Sequence, residues 1–196
     1  MVPVLAAQGQ NSTPSASEQK AITIHKNMSR YLAQAERFSV TIRDGYDLVQ
    51  QSGQKLEYGE VRKATVSRAD RLRFEVERSD GEKGLVLFNG KGLTVYTANK
   101  NVFATVSRPG TLDQAIKYAV DDLEIRVPLA MMLLSTLPSE LDNLGFSADY
   151  VEATTVTDVP SDHVAARTSR GVDFQVWVAQ GSQPLPRAAS LCPGGL

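Results

Sequence analysis

Cysteine is almost missing from this chain. The single residue, Cys192, excludes an intramolecular disulfide and any cysteine-built metal cluster, and it fits either redox compartment. Only two histidines occur, His25 and His163, and neither has a His or Cys partner at metal-ligand spacing. No metal or cofactor is expected. Long apolar runs are also lacking: no stretch approaches the roughly 20 residues that a spanning helix requires. Nor does one sign of charge dominate. With 21 basic and 22 acidic residues the net charge is −1, and nothing steers the chain toward nucleic acid or an anionic membrane surface. The glycines of Gly90-Lys91-Gly92 fall in a hairpin and not between a strand and a helix, so they do not form a phosphate-binding loop. No strand–turn–helix nucleophile elbow is present.

What remains is an ordinary globular composition, 42% hydrophobic and 22% charged over 196 residues, enough for one domain with a real core. Val2-Pro3-Val4-Leu5-Ala6-Ala7-Gln8 is either the end of a signal peptide or a plain terminus. The polar residues that follow read as a disordered lead-in, assigned to residues 1–14. Ser15 with Glu18 forms a capping box. Beyond it Ala21, Ile24, Met28, Tyr31, Leu32 and Ala35 recur at helical spacing and predict an amphipathic helix.

The period then changes to two. Phe38, Val40 and Ile42 alternate with polar residues, as do Leu72, Phe74 and Val76, then Leu93 and Val95, then Val172, Phe174, Val176 and Val178. One greasy and one charged face per strand predicts antiparallel sheet. Arg71, Arg73, Glu75 and Glu77 mix signs on the solvated face. Asn89-Gly90-Lys91-Gly92 predicts a hairpin, and Asn99-Lys100-Asn101 a second. Thr111 with Gln114 predicts a capped helix to about Asp122. Pro128 suits a first helical turn, and Leu129-Ala130-Met131-Met132-Leu133-Leu134 is apolar on all sides, which predicts a buried helix. Ser139 with Asp142 suggests another turn before Gly145. The strands need cover for their apolar faces, and the helices are the only candidates. The expected fold is mostly β (α+β): one strongly curved antiparallel sheet forming an open half-barrel, with helices in its concave face.

Chemistry is hard to find in the residues. His25, beside Lys26, reads as a solvated helix histidine. His163 reads as structural at a strand edge; a catalytic role needs a cleft joining it to Asp162 or Asp173. Trp177 falls on the polar side of its strand, packed under a loop or forming an exposed spot. Met131 and Met132 are flexible, polarizable side chains facing an interior of Phe74, Val76, Val86, Phe88 and Val95. Core filling is the simpler reading, and an apolar ligand cavity the sharper one.

Gly171-Val172-Asp173-Phe174-Gln175-Val176-Trp177-Val178 followed by Pro184-Leu185-Pro186-Arg187 resembles a family of predicted bacterial periplasmic proteins, domain of unknown function two thousand and ninety-two. Met28-Ser29-Arg30-Tyr31-Leu32, Phe88-Asn89-Gly90-Lys91 leading to Tyr96, Ser107 to Asp113, Pro128-Leu129-Ala130 and Asp162-His163 agree in order and spacing. The resemblance runs from about Ile22 to Arg187. Asn89 stands where the family usually has Asp. After Arg187 it stops, and residues 188–196 read as an irregular tail, truncated or frameshifted; 15–187 is then the single domain.

The resemblance implies export to the periplasm and a fold like the bacterial lipoprotein carriers (LolA-like). It brings no known activity, and lipid binding follows from fold analogy alone. The expectation is a non-enzymatic periplasmic protein that binds a lipid or lipoprotein acyl chain. Its cavity candidates are Phe74, Val76, Val86, Phe88, Val95, Met131, Met132, Leu134 and Phe174. The alternative is a protein-interaction or envelope-stress module that uses the sheet face or edge.

Overall fold

The period-two segments all form antiparallel strands. The computed structural model describes residues 13–125 and 129–192, which form two units: Leu32–Pro138, and the residues before and after it. Helix α1 is Ala16–Gln34, and the chain passes from one unit to the other within it, between Tyr31 and Leu32. It passes back within α3, Leu137–Leu144, between Pro138 and Ser139.

The first unit is a six-stranded meander: β1 Arg37–Val49, β2 Lys55–Ser67, β3 Arg71–Arg78, β4 Lys83–Phe88, β5 Gly92–Thr97 and β6 Val102–Ser107. Its turns use the expected chemistry. Asn89 Oδ1 accepts from the N–H groups of Lys91 (3.1 Å) and Gly92 (3.0 Å), so the side-chain amide oxygen closes the turn. Gly90 sits at φ +81°, and a Cβ there would meet Asp70 Oδ2 at 2.8 Å. Both constraints demand glycine.

Helix α2, Leu112–Asp121, starts with both halves of the Thr111–Gln114 capping box in place. Its buried stripe is Leu112, Ala115, Ile116 and Ala119, at the spacing of one helical face. That stripe packs on the inward side chains of β2 to β5, Ala64, Val66, Leu72, Phe74, Val86, Phe88 and Leu93. Burial of a side chain such as Phe74 or Leu93, each 2% exposed, contributes roughly 1.5–3 kcal/mol.

The second unit is a four-stranded meander, β7 Phe146–Val156, β8 Val159–Thr168, β9 Asp173–Ala179 and β10 Pro186–Cys192. Both expected hydrogen bonds of the Ser15–Glu18 box form at the start of α1. The helix is tied to β7: Tyr150 N–H donates to Ser17 Oγ at 3.0 Å, and Lys20 Nζ lies 3.3 Å from the centre of the Tyr150 ring. Val164, Ala166, Val176 and Val178 form the buried side of the sheet.

Three expectations change. The ten strands form two hydrogen-bonded sheets, not one, because the ladder is interrupted between β6 and β7 by the helical segment. Residues 188–192 are not an irregular tail: they are β10, paired with β9 from Ala188↔Trp177 to Cys192↔Asp173. The expected helix through the methionines is a single 3₁₀ turn, Ala130–Leu133, preceded by Leu129 at φ +57°. A left-handed residue cannot continue a helix, and the turn leaves Met131 and Met132 half-buried. Pro128, Val2–Gln8 and Pro193–Leu196 lie outside the described residues.

Candidate functional site

The apolar interior of the first unit contains a small space between the sheet and its helical cover. Leu72 and Phe74 of β3, Val86 of β4 and Leu93 of β5 form its floor; Ala115, Ile116 and Ala119 of α2, with Ile125 and Leu133, form its cover. The void measures about 20 Å³. That is space for about one water molecule, which an all-apolar wall would leave without partners. Ligand pockets run to about 300–1,000 Å³, so the interior as folded is closed.

The cover is anchored by polar groups at its edges. Arg68, just past the end of β2, donates from Nη1 to the Leu133 carbonyl, from Nη2 to the Leu32 carbonyl and from Nε to the Ala35 carbonyl, each at 2.8 Å. One guanidinium fork thereby holds the 3₁₀ turn and the last turn of α1, whose orphan carbonyls need donors. On the other side of the turn Ser135 N–H donates to Asp113 Oδ1 of α2 at 3.1 Å. Burial lowers the pKa of Arg68, and the nearby Asp113 carboxylate opposes that shift.

Along the same inward phase of the sheet the apolar surface gives way to charge. Arg62, 7% exposed, follows Ala64 and Val66 on β2. Its Nη1 reaches both Asp44 oxygens at 2.7 Å, and its Nη2 pairs with Glu60. Arg78 Nε lies 3.3 Å from Glu60, its Nη1 donates to Glu82 at 2.8 Å, and its Nη2 donates to the Tyr46 hydroxyl at 3.0 Å. Tyr46 and Tyr58 stack beside them at 5.9 Å. The two guanidiniums are thus paired with carboxylates of this chain, while Arg62 Nε and Arg78 Nε have no hydrogen-bond partner.

The sequence-predicted cavity residues separate accordingly. Phe74 and Val86 line the void. Phe88 and Leu134 are buried in the same core, and Val76, Val95 and Met131 pack half-buried against it. Met132 is half-buried. Phe174 belongs to the other unit, where its ring meets His25 at 5.8 Å. The cavity candidates read from the sequence missed Leu72, Leu93, Ala115, Ile116, Ala119, Ile125 and Leu133, although Ala115 and Ala119 lie on the stripe that Leu112 and Ile116 define.

His25 is not solvated. It is 2% exposed, edge-on to Phe146 and Phe174, and neither ring nitrogen has a hydrogen-bond partner. Burial pushes its pKa down to about 4. Trp177 is neither under a loop nor a bare exposed spot: it stacks on His163 across the β8–β9 ladder, centroids 4.2 Å apart and planes 11° from parallel. His163 Nε2 meets Gln175 Oε1 at 2.8 Å. Asp162 points to the opposite face of β8, where it accepts from Tyr150 and Gln180. Asp173 is engaged by Arg167, with Nη2 to Oδ2 at 2.7 Å. The three residues therefore do not converge. Among the described residues no three His, Cys, Asp or Glu side chains gather in reach of one ion, and no helix is long and apolar enough to cross a membrane.

Two antiparallel sheets with three α-helices and an apolar interior define an α+β protein. Residues 21–192 match the family described as predicted periplasmic protein (DUF2092), and the chain belongs to that family. Its location is accordingly the periplasm. The match extends past Arg187 to the end of β10, which agrees with the pairing of that strand. No curated protein matches the chain. Among solved structures it is similar to a DUF1329 family protein from Desulfovibrio piger, at 12% identity and a TM-score of 0.37, over 91% of this chain and 75% of that one.

Proposed function

We propose that this chain is a non-enzymatic periplasmic binding protein that takes up an apolar chain, of a lipid or of a lipoprotein, between the six-stranded sheet and its cover of α2 and the 3₁₀ turn. The observation that carries the reading is the make-up of the floor and cover: every residue around the small void is apolar, and one side of its cover is a four-residue turn. Such a turn has little hydrogen bonding of its own, here Met132 N–H to Leu129 and Leu134 N–H to Met131. Uptake then consists of the turn moving off the sheet, so that an acyl chain replaces Leu133 against Phe74 and Val86. The adjacent methionines can repack around chains of different shape. The carboxylate-paired charges at Arg62 and Arg78 favour cargo that is held by its apolar part and not by an anionic head. The open half-barrel and the carrier-like fold expected from the sequence belong to this proposal.

Native mass spectrometry of protein exported to the periplasm, followed by organic extraction, tests the reading. Lipid bound near one-to-one supports it and identifies the cargo. A mass without ligand that persists after challenge with lipid overturns it.

A further inference from the structure

Among the described residues each sheet ends in two strands that have a neighbour on one side only: β1 and β6 in the first, β7 and β10 in the second. An open edge offers unpaired backbone groups to any other strand, and proteins blunt it with charge, proline or bulges. Three of these edges are blunted. Strand β1 carries Arg37, Arg43, Asp44 and Asp47. Strand β7 carries Asp149 and Glu152 and shifts register between Tyr150 and Glu152. Strand β10 opens with Pro186-Arg187 and shifts register there.

Strand β6 has none of these devices. It reads Val102-Phe103-Ala104-Thr105-Val106-Ser107, pairs with β5 without a register shift, and contains no charge, proline or glycine. It is also open to solvent: Phe103 is 74% and Val102 53% exposed, and Ala104, Thr105 and Ser107 are exposed as well. The backbone orientation follows from the ladder. Arg108 N–H donates to the Lys91 carbonyl at 2.9 Å, so the alternation of an antiparallel pair turns Val106, Ala104 and Val102 toward β5. The N–H and C=O groups of Phe103, Thr105 and Ser107 then point away from the sheet.

We propose that β6 pairs antiparallel with β6 of a second copy of this chain, joining two six-stranded sheets across a two-fold axis. An uncharged strand meets itself without like charges, whereas β1 against β1 or β7 against β7 confronts charge or a bulge. Register is set by the outward groups. With Ala104 opposite Ala104, Phe103 of each copy exchanges both backbone hydrogen bonds with Thr105 of the other. Phe103 then lies across from the Thr105 side chain and Val102 across from Val106, the aromatic and β-branched pairings that stabilise sheets. The contact is isologous and closes at the dimer.

Sedimentation velocity of the full chain over a wide concentration range tests this, with two variants beside the parent. Thr105→Pro removes an outward N–H and no backbone bond to β5; with the side chain goes only the surface hydroxyl contact to Thr94 at 2.9 Å. Phe103→Lys places a like-charge pair near the axis and leaves the backbone as it is. The parent is expected to form a dimer and nothing larger, and both variants to lose it at every concentration while they keep the parent's circular dichroism. A parent that stays monomeric overturns the proposal, as does a dimer that survives both variants or assembly beyond the dimer. Neither variant touches the apolar interior, so acyl-chain uptake is expected to be unchanged; a loss of uptake alone bears on the binding reading and not on this one.

Discussion

His25 of α1 meets Phe146 of β7 edge-on, ring centroids 5.2 Å apart with planes 66° from parallel, and the imidazole is enclosed without a hydrogen-bond partner. A neutral ring is tolerated there; an imidazolium is not. The folded protein therefore resists protonation down to about pH 4, while an unfolded histidine takes its proton near 6.5. Between those values the unfolded state binds more protons. The stabilising contribution of the neutral ring is complete above pH 6.5, is lost progressively as pH falls to 4, and totals roughly 3 kcal/mol. Urea denaturation of the parent and of His25→Leu across this range checks it: the variant is expected to show a shallower loss of stability with acid.

Arg68 is a clamp whose geometry matters more than its charge. Arg68→Lys keeps the cation and loses the fork that reaches the Leu32, Ala35 and Leu133 carbonyls. A cost of about 2 kcal/mol or more is expected, since hydrogen bonds to charged groups contribute roughly 1.5–3 kcal/mol each and lysine retains part of them. Thermal unfolding should rank the parent above Arg68→Lys, and Arg68→Lys above Arg68→Ala. Amide exchange should quicken at Leu134 in both variants.

Gly90→Ala is expected to cost about 1–2 kcal/mol, for two reasons that can be separated. The methyl group would meet the Asp70 side chain, and φ is +81°. Asp70→Gly removes the clash, the Asp70 Cβ at 2.9 Å included, and leaves the backbone strain at position 90, so the double variant measured against Asp70→Gly alone should recover part of the loss. A full recovery in chemical denaturation would show that the left-handed conformation costs nothing there.

Strands β1, β3, β5 and β9, both capping boxes and the Asn89–Gly92 hairpin were legible because each is a local pattern. The burial of His25 was legible in spacing and lost in residue type. Ala21, His25, Met28 and Leu32 make one helical stripe, and reading histidine as polar moved the stripe to Ile24. The inward charges on β2 were harder. Arg62 and Glu60 hold apolar phase positions, and only the pairing of β1, β2 and β3 brings Asp44 and Arg78 to them. Strand β10 was missed because Ala188, Ala189 and Ser190 have little strand propensity; the ladder to β9, not the residues, makes it a strand. The division into two sheets depends on hydrogen bonds that no local pattern records.

Leu133→Ala should enlarge the void. Without cargo the loss is expected to be roughly 2–4 kcal/mol, the usual cost of a leucine cut back in a core. With a saturating acyl chain the loss should shrink, since ligand then fills the space that the side chain left. Differential scanning calorimetry with and without the lipid reads both values.

Photo-crosslinking with a diazirine-bearing fatty acid, followed by peptide mapping, tests the central claim most directly. Adducts are expected on the peptides that carry Phe74, Val86 and Leu133, suppressed by excess unlabelled fatty acid. Adducts confined to exposed apolar residues such as Phe103 or Leu48 and Val49, or no adducts that competitor removes, would contradict it.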